Sequence, residues 1–202
     1  MADIEYFYSA HSAFAYLGSA RLMAIAAAAG RRLTHRPIDL QQVVAGAGST
    51  PTRERTAAYR SYFFGREIQR WSEQRGAPVV AGLPTHHHND TTLSNCAIVA
   101  GVLAGWQVDR LAHAFLQGHW RDDADLADAA TLARLAGDAG YDAEALLEAA
   151  VTPEVKSAYA ANTREAIERS VFGSPTYFVD GDMFYGQDRL EMVERALDSV
   201  RP

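Results

Sequence analysis

The sequence predicts an α/β fold in which a βαβ unit and a ββα unit are separated by a block of helices. Three observations support this prediction. The run at 4–8 is rich in aromatic and β-branched residues, which is typical of a buried strand. A second such run at 176–185 contains a turn dipeptide typical of a hairpin. Between them, from about residue 53 to residue 170, apolar residues recur at helical spacing.

The first unit has two strands and one helix. IEYFY at 4–8 is the first strand, and Ser12 offers a hydroxyl N-cap for a helix at 13–29. The stretch 31–38 predicts a second strand, and Pro37 places it at a sheet edge or at a strand end.

The middle and the end of the chain follow a different pattern. Turn residues in GAGSTP at 46–51 mark a change of architecture. Helices are predicted at 59–74, 91–103, 108–117, 125–139, 141–150 and 152–170. Strands at 176–180 and 183–185 are joined by a Gly181-Asp182 turn, and an amphipathic helix follows at 188–200.

This order of elements is that of a thioredoxin-like fold with an all-helical insertion. The expected domains are a discontinuous thioredoxin-like domain, residues 1–45 and 171–202, and a helical insertion domain, residues 46–170.

Composition excludes several classes of function. The 202 residues are 48% hydrophobic and 22% charged, as in ordinary globular proteins. The net charge of −6 has the wrong sign for binding phosphate backbones, so we expect no nucleic-acid partner. The longest uncharged apolar stretch, 97–106, is far below the roughly 18 residues that a membrane span needs, so we expect no membrane partner.

The chain has a single cysteine, Cys96. One cysteine cannot form an internal disulfide, a dithiol redox pair or a cysteine-based zinc site, so a dithiol oxidoreductase is excluded. Small and apolar neighbours predict that Cys96 is a buried packing residue. A reducing compartment fits this cysteine usage, and we expect a cytoplasmic protein.

The first candidate site is the loop between the first strand and the first helix, residues 9–12, called the tip below. Backbone N–H groups at a helix start favour an anion. Oxidoreductases of this fold place a reactive cysteine here, but this chain has SAHS, without sulfur. A thiolate from a ligand could occupy the tip, with Ser12 donating a hydrogen bond to the sulfur. Taken alone, Ser12 is more often only an N-cap.

The second candidate is Pro175, which comes just before the predicted hairpin. A cis bond there would turn the backbone of Ser174 toward the tip, where it could pair with an extended ligand. From the residues alone, a trans bond at the start of a strand is the more frequent arrangement.

Three stretches resemble the 2-hydroxychromene-2-carboxylate isomerase family, relatives of the kappa-class glutathione transferases. They are FYSAHSAFAYLG at 7–18, YRSYFFGREIQRW at 59–71 and NTREAIERSVFGSPTYFVDGDMFYGQDRL at 162–190. The last is the most specific, because FGSPT, the DG turn and FYGQDRL follow one another in the family's order and spacing.

The resemblance implies that glutathione is the cofactor. The positions matched to its binding site are Ser12, Ser174, Pro175, Gly186, Gln187 and Asp188. The resemblance places the glutathione thiolate near Ser12, its cysteinyl part against Ser174 beside a cis-proline, and its γ-glutamyl end at 186–188. A carboxylate and an amide at that turn suit the γ-glutamyl ammonium group.

The substrate implied by the resemblance is a small aromatic molecule. The positions assigned to it are Thr50, Pro51, Arg60 and His86. The chain departs from the family at Ala13, where a proline commonly follows the active serine, and at Val44, where many members have a lysine. The missing lysine removes a cation for the substrate carboxylate, and Arg60 or Arg53 would replace it.

The triplet His86-His87-His88 suggests a metal site. Side chains of consecutive residues diverge and no cysteine is near, so we expect no metal. In the family this connection borders the substrate pocket, which favours contact between His86 and an anionic or phenolic substrate. His11, next to Ser12, would either tune the thiolate or cover the helix start.

The leading functional prediction is a glutathione-dependent cis–trans isomerase of 2-hydroxychromene-2-carboxylate or a related aromatic unsaturated oxo acid. Transient addition of the thiolate turns a double bond into a rotatable single bond. One alternative is a kappa-type glutathione transferase or peroxidase acting on another electrophile. Another is a non-catalytic ligand-binding protein of the same fold. Members of the family are commonly dimers, so a homodimer is also expected.

Overall fold

The computed structural model describes residues 3–48, 50 and 54–198. Its sheet has four strands in the order β2-β1-β3-β4. They are β1 (Ile4–Tyr8), β2 (Leu33–Pro37), β3 (Thr176–Val179) and β4 (Asp182–Tyr185). Strand β1 pairs parallel with β2 and antiparallel with β3, and β4 pairs antiparallel with β3. The predicted fold class is confirmed, and β2 lies at the edge that Pro37 indicated.

The β3–β4 hairpin turns one residue earlier than the sequence predicted. The two turn residues are Asp180 and Gly181, with φ of 49° and 92°, and Val179 pairs with Asp182. The prediction of a Gly181-Asp182 turn was wrong. Two successive positive φ angles are those of a type I′ turn, for which Asp-Gly is among the preferred dipeptides.

Helices cover most of the remaining described chain. They are α1 (Ala13–Ala28), α2 (Leu40–Gly46), α3 (Ala57–Arg60), α4 (Ile68–Arg75), α5 (Thr92–Leu103), α6 (Asp109–Asp122), α7 (Ala129–Asp138), α8 (Ala143–Ala150), α9 (Pro153–Glu168) and α10 (Leu190–Asp198). A π-helical segment, Ser61–Glu67, joins α3 to α4, and a 3-10 turn, Gln187–Arg189, precedes α10. The short helix α2 was not predicted; the Asp39 carboxylate caps it by accepting two backbone N–H groups.

One large hydrophobic core joins the sheet to the helices. It includes Tyr6 of β1, Leu17 of α1, and Phe115 and Trp120 of α6. A smaller cluster around Phe7 lies apart from it. The large core therefore crosses the boundary between the two expected domains, 1–45 with 171–202 and 46–170, and that division stays a prediction.

Cys96 is buried in the large core, as its neighbours predicted. Burial raises the pKa of its thiol to about 11, so the side chain is a neutral packing group.

Among the described residues, no helix combines the length and the apolar character that crossing a lipid bilayer requires.

Candidate active site

The tip is held by the hydroxyl group of Ser12. Its Oγ accepts a hydrogen bond from the backbone N–H of Ala15 at 3.3 Å, so Ser12 is the N-cap of α1, as predicted. The same hydroxyl donates to the carbonyl oxygen of Ser174 at 3.2 Å. Only 7% of the residue is exposed. One side chain therefore joins the start of α1 to the segment before β3.

The segment before β3 contains the proline singled out in the sequence. The Ser174–Pro175 peptide bond is cis, as the family resemblance implied. The hydroxyl of Ser174 accepts a hydrogen bond from the backbone N–H of Ser9 at 3.1 Å. The carbonyl of Pro175 accepts one from the N–H of Gly186 at 2.9 Å. The proline segment thus bridges the tip and the turn at 186–188.

The turn at 186–188 brings the remaining predicted cofactor residues to the same region. Gly186 has a φ of 100°, and a Cβ there would collide with Oδ1 of Asp188, so only glycine suits the position. The Asp188 side chain is 41% exposed and accepts from Arg189 at 2.7 Å. Its carboxylate is therefore accessible to a ligand.

Gln187 is buried, unlike the neighbouring Asp188. It is only 1% exposed, and its Oε1 accepts from Nε of Arg75 at 3.0 Å. Its backbone carbonyl accepts from Nη2 of the same arginine at 3.1 Å. The amide oxygen that would face a ligand ammonium group is thus already engaged, and Gln187 anchors the turn to α4.

The predicted substrate residues fall into two groups. Arg55 donates from Nε to the carbonyl of Thr50 at 3.1 Å, and Arg60 donates to the carbonyl of Arg55. His86 lies beside Asp125, with 3.5 Å between Nδ1 and Oδ2. Pro51 and Arg53 lie outside the described residues. The roles assigned to all of these positions stay predictions.

An aromatic wall near the tip was not predicted. The Arg55 guanidinium lies 4.5 Å from the ring centre of Tyr59, which stacks on Phe63 at 5.3 Å. Phe63 in turn contacts Phe14 of α1 at 5.1 Å. Phe14 lies in the first turn of α1, so the wall packs against the beginning of that helix. Aromatic residues at helical spacing predict only a packed helix, so the sequence did not reveal this arrangement.

Three histidines lie next to the tip. Nδ1 of His11 is 2.9 Å from the hydroxyl of Ser9. The rings of His11 and His87 are 5.2 Å apart, and Nδ1 of His87 is 3.0 Å from Nε2 of His119. Burial lowers the pKa of His11 to about 4 and that of His87 to about 3, and also lowers the pKa of His119. All three are neutral near pH 7.

Within the described part of the chain, no group of three His, Cys, Asp or Glu side chains is arranged to hold a metal ion. Of the triplet at 86–88, His87 faces the tip through its contact with His11. His86 was the member singled out in the sequence.

Comparison with known proteins identifies the family. The model of the DSBA-like thioredoxin domain matches residues 3–198. The chain belongs to this family. A relative from Sphingobium xenophagum named 2-hydroxychromene-2-carboxylate isomerase is 28% identical over 194 residues, covering 96% of this chain and 97% of the relative. The resemblance found in the sequence is confirmed.

Solved structures agree with this assignment. A structure of 2-hydroxychromene-2-carboxylate isomerase superposes with a TM-score of 0.81 at 25% identity, covering 98% of this chain and 95% of that chain. The cytosolic disulfide reductase DsbM from Pseudomonas aeruginosa, solved with GSH, has a TM-score of 0.65 at 16% identity, covering 97% of this chain and 99% of that one. The second likeness shows the fold alone.

Proposed function

We propose that this protein is a glutathione-dependent isomerase of 2-hydroxychromene-2-carboxylate or a related aromatic unsaturated oxo acid. The observation that carries the proposal is the Ser12 hydroxyl, which lies at the start of α1 against the carbonyl of Ser174. The only cysteine of the chain, Cys96, is buried in α5. The start of α1, where a helix favours an anion, thus has no sulfur of its own, in a chain whose relatives are named as this isomerase.

The polar groups of the site fit glutathione. An extended ligand beside Ser174 would donate its cysteinyl N–H to the Ser174 carbonyl, which now accepts from Ser12. Ser12 could then turn its proton toward the ligand sulfur while keeping its bond from the Ala15 N–H. The exposed carboxylate of Asp188 suits the γ-glutamyl ammonium group.

Ser12 and the start of α1 would keep the bound thiol ionised. A hydrogen bond to a charged group contributes about 1.5–3 kcal/mol, which corresponds to about one to two pKa units. An ordinary thiol has a pKa of about 8.5, so this change brings the pKa of the bound thiol to about 6.5–7.5 and makes a large fraction of it thiolate near pH 7. When bound, glutathione supplies a nucleophile that adds to the substrate double bond and later leaves, with rotation about the single bond in between.

The aromatic wall and Arg55 would hold the substrate. Tyr59 and Phe63 present half-buried ring faces, and a guanidinium beside them suits an aromatic carboxylate. Thr50, Pro51, Arg60 and His86 remain proposed substrate residues, of which Thr50 and Arg60 lie against Arg55.

The proposal includes a cytoplasmic location, where a glutathione pool is present, and a homodimer. Sedimentation of the purified chain tests the dimer, since a single species of monomer mass would contradict it.

The test is the ultraviolet spectrum of 2-hydroxychromene-2-carboxylate with the purified protein, with and without glutathione. We expect conversion to the trans isomer only when glutathione is present. Absence of any glutathione-dependent change would exclude this substrate. Conjugation of aromatic halides, without isomerisation, would instead identify a kappa-type transferase. Recovery of bound substrate unchanged would indicate a non-catalytic binding protein.

A further inference from the structure

We propose that His11 and His87 form a hydrogen-bond donor and acceptor pair beside Ser12 that binds a hydroxyl group next to a carboxylate, as in an aromatic 2-hydroxy acid. The inference rests on the proposed function, whose substrate carries this group, and it adds the two side chains that would recognise it.

The surroundings of His11 fix which of its nitrogens carries the proton. The backbone N–H of Ala10 donates to Oδ1 of Asn95 at 2.9 Å, so the Asn95 amide nitrogen faces the hydroxyl of Ser9 at 3.3 Å. The Ser9 hydroxyl accepts from Asn95, and Ser9 is only 1% exposed, so its proton needs an acceptor within the protein. Among the described residues, that acceptor is Nδ1 of His11 at 2.9 Å. A neutral imidazole that accepts at Nδ1 carries its proton on Nε2. His11 therefore presents an N–H donor.

His87 has the opposite arrangement. A carbonyl oxygen only accepts, so His119 donates from Nδ1 to the carbonyl of Ala124 at 3.0 Å. Nε2 of His119 is then an acceptor, and it receives the proton of His87 Nδ1 at 3.0 Å. This leaves Nε2 of His87 with a lone pair. His119 is thus a positioning residue that sets the tautomer of His87.

Both Nε2 atoms are open to a ligand. Among the described residues, the buried side-chain polar atoms without a partner are the hydroxyls of Tyr6 and Tyr177 and Nε of Arg36. Neither histidine Nε2 belongs to this set, and neither has a hydrogen bond to another described residue. Since His11 and His87 are both half-buried, each Nε2 keeps some exposure to solvent.

Trp120 fixes the two rings relative to each other. Its indole N–H donates to the carbonyl of His11 at 2.8 Å, and its ring lies 5.2 Å from that of His87. Trp120 is itself buried in the core. The donor and the acceptor are therefore held by a rigid group, with ring centres 5.2 Å apart. A ligand that places an acceptor oxygen beside a hydroxyl proton complements both.

The first test is nuclear magnetic resonance of the full chain with isotope-labelled histidine, using long-range proton–nitrogen correlations that distinguish the two tautomers. We expect the proton on Nε2 of His11 and on Nδ1 of His87 and His119. His119→Leu should release His87 into mixed tautomers, whereas His119→Gln, which keeps an acceptor at that position, should preserve the Nδ1–H form. A His87 proton on Nε2 in the unaltered protein would overturn the proposal.

The second test uses mandelate as an unreactive aromatic 2-hydroxy acid, with O-methylmandelate as the matched probe that lacks the hydroxyl proton. We expect mandelate to shift the Nε2 signals of both His11 and His87, and to bind about tenfold more tightly than the methyl ether because one hydrogen bond is lost. Equal affinity for the two probes would overturn the pair. Failure of glutathione to bind, with mandelate still preferred, would overturn the proposed function and not the pair.

Discussion

The hydroxyl of Ser12 donates a hydrogen bond to the carbonyl of Ser174 across 162 residues of chain. This bond connects the positive end of α1 to the backbone that a peptide-like ligand would use. A ligand N–H at Ser174 would give that carbonyl oxygen, which has two lone pairs, a second donor. Ser12 could then turn its proton to a neighbouring sulfur without leaving the oxygen unpaired. Cofactor binding and thiolate stabilisation would thus be coupled through one atom.

Replacement of Ser12 tests this coupling. Ser12→Ala should raise the pKa of the thiol of bound glutathione by about one to two units, because the thiolate loses its hydrogen bond from Ser12. It should also destabilise the fold by about 1 kcal/mol through loss of the N-cap. The matched variant Ser12→Thr keeps a hydroxyl and should retain both properties. The measurement is the pH dependence of thiolate ultraviolet absorbance, and an unchanged profile for Ser12→Ala would exclude Ser12 from this role.

Substitution of two helical glycines by alanine should change the stability of the fold in opposite directions, because Gly18 packs against the turn at 186–188 and Gly137 faces open space. A Cβ on Gly18 would lie 2.7 Å from Cβ of Gln187, so Gly18→Ala should displace the turn, cost about 1–3 kcal/mol and weaken glutathione binding. Gly137 of α7 has open space around it, and Gly137→Ala should stabilise the fold by about 0.5 kcal/mol. Urea denaturation measures both variants. Equal stability for Gly18→Ala and the unaltered chain would show that the turn does not pack closely on α1.

Substitution of two arginines tests which cation serves the substrate. Arg55 lies over the Tyr59 ring, so Arg55→Gln should raise KM for an aromatic carboxylate about tenfold or more, with a smaller change in kcat. Arg60→Gln is the matched comparison and should have the smaller effect on KM. The opposite order would assign the substrate carboxylate to Arg60, one of the two arginines that the sequence suggested.

The neutral histidines predict that stability falls in mild acid. The pKa values of His11 and His87, about 4 and about 3, lie below the ordinary value of 6.5. The unfolded chain therefore gains protons below pH 6.5 while the folded chain does not, so stability is full above pH 6.5 and is lost as the pH falls toward 4. The half-buried His11 alone should lower the free energy of unfolding by about 1–2 kcal/mol between pH 7 and pH 5.

Thermal unfolding at pH 7 and at pH 5 measures this effect. Hydrogen bonds from Arg169 and Arg75 lower the pKa values of Glu5 and Glu191, respectively. Both carboxylates therefore remain ionised between pH 7 and pH 5 and contribute little to the change in stability. His11→Asn keeps an acceptor for the Ser9 hydroxyl without a titrating ring, and it should reduce the pH dependence. The same pH dependence in this variant would show that His11 is not the titrating group.

Local signals in the sequence predicted most of the fold. Strand β1, helix α1 and the C-terminal hairpin, though not the exact register of its turn, follow from aromatic runs, a serine cap and a turn dipeptide, all of which act within a few residues. Helix α2 was not predicted, because it is only seven residues long and depends on the Asp39 cap. The π-helical segment Ser61–Glu67 has the same apolar spacing as an α-helix, so periodicity could not distinguish the two.

The parts of the site that were missed depend on tertiary contacts. His119 lies 32 residues from His87, and the triplet at 86–88 did not indicate which ring faces the tip. Nothing in the sequence indicated that Arg75, 112 residues away, donates to the amide oxygen of Gln187, whose role in binding glutathione stays a prediction. Ser12, Ser174 and Gly186 were predicted to bind the cofactor through the family motif, because their residue types alone predict only caps and turns.

Calorimetric titration of the full chain with glutathione tests the central claim most directly. We expect saturable binding of one tripeptide per chain, with a matching rise in Tm, and with weaker binding in Gly18→Ala. If glutathione released no heat of binding and left Tm unchanged, the account would be contradicted. The tip has no cysteine, so without bound glutathione the proposed reaction would have no nucleophile.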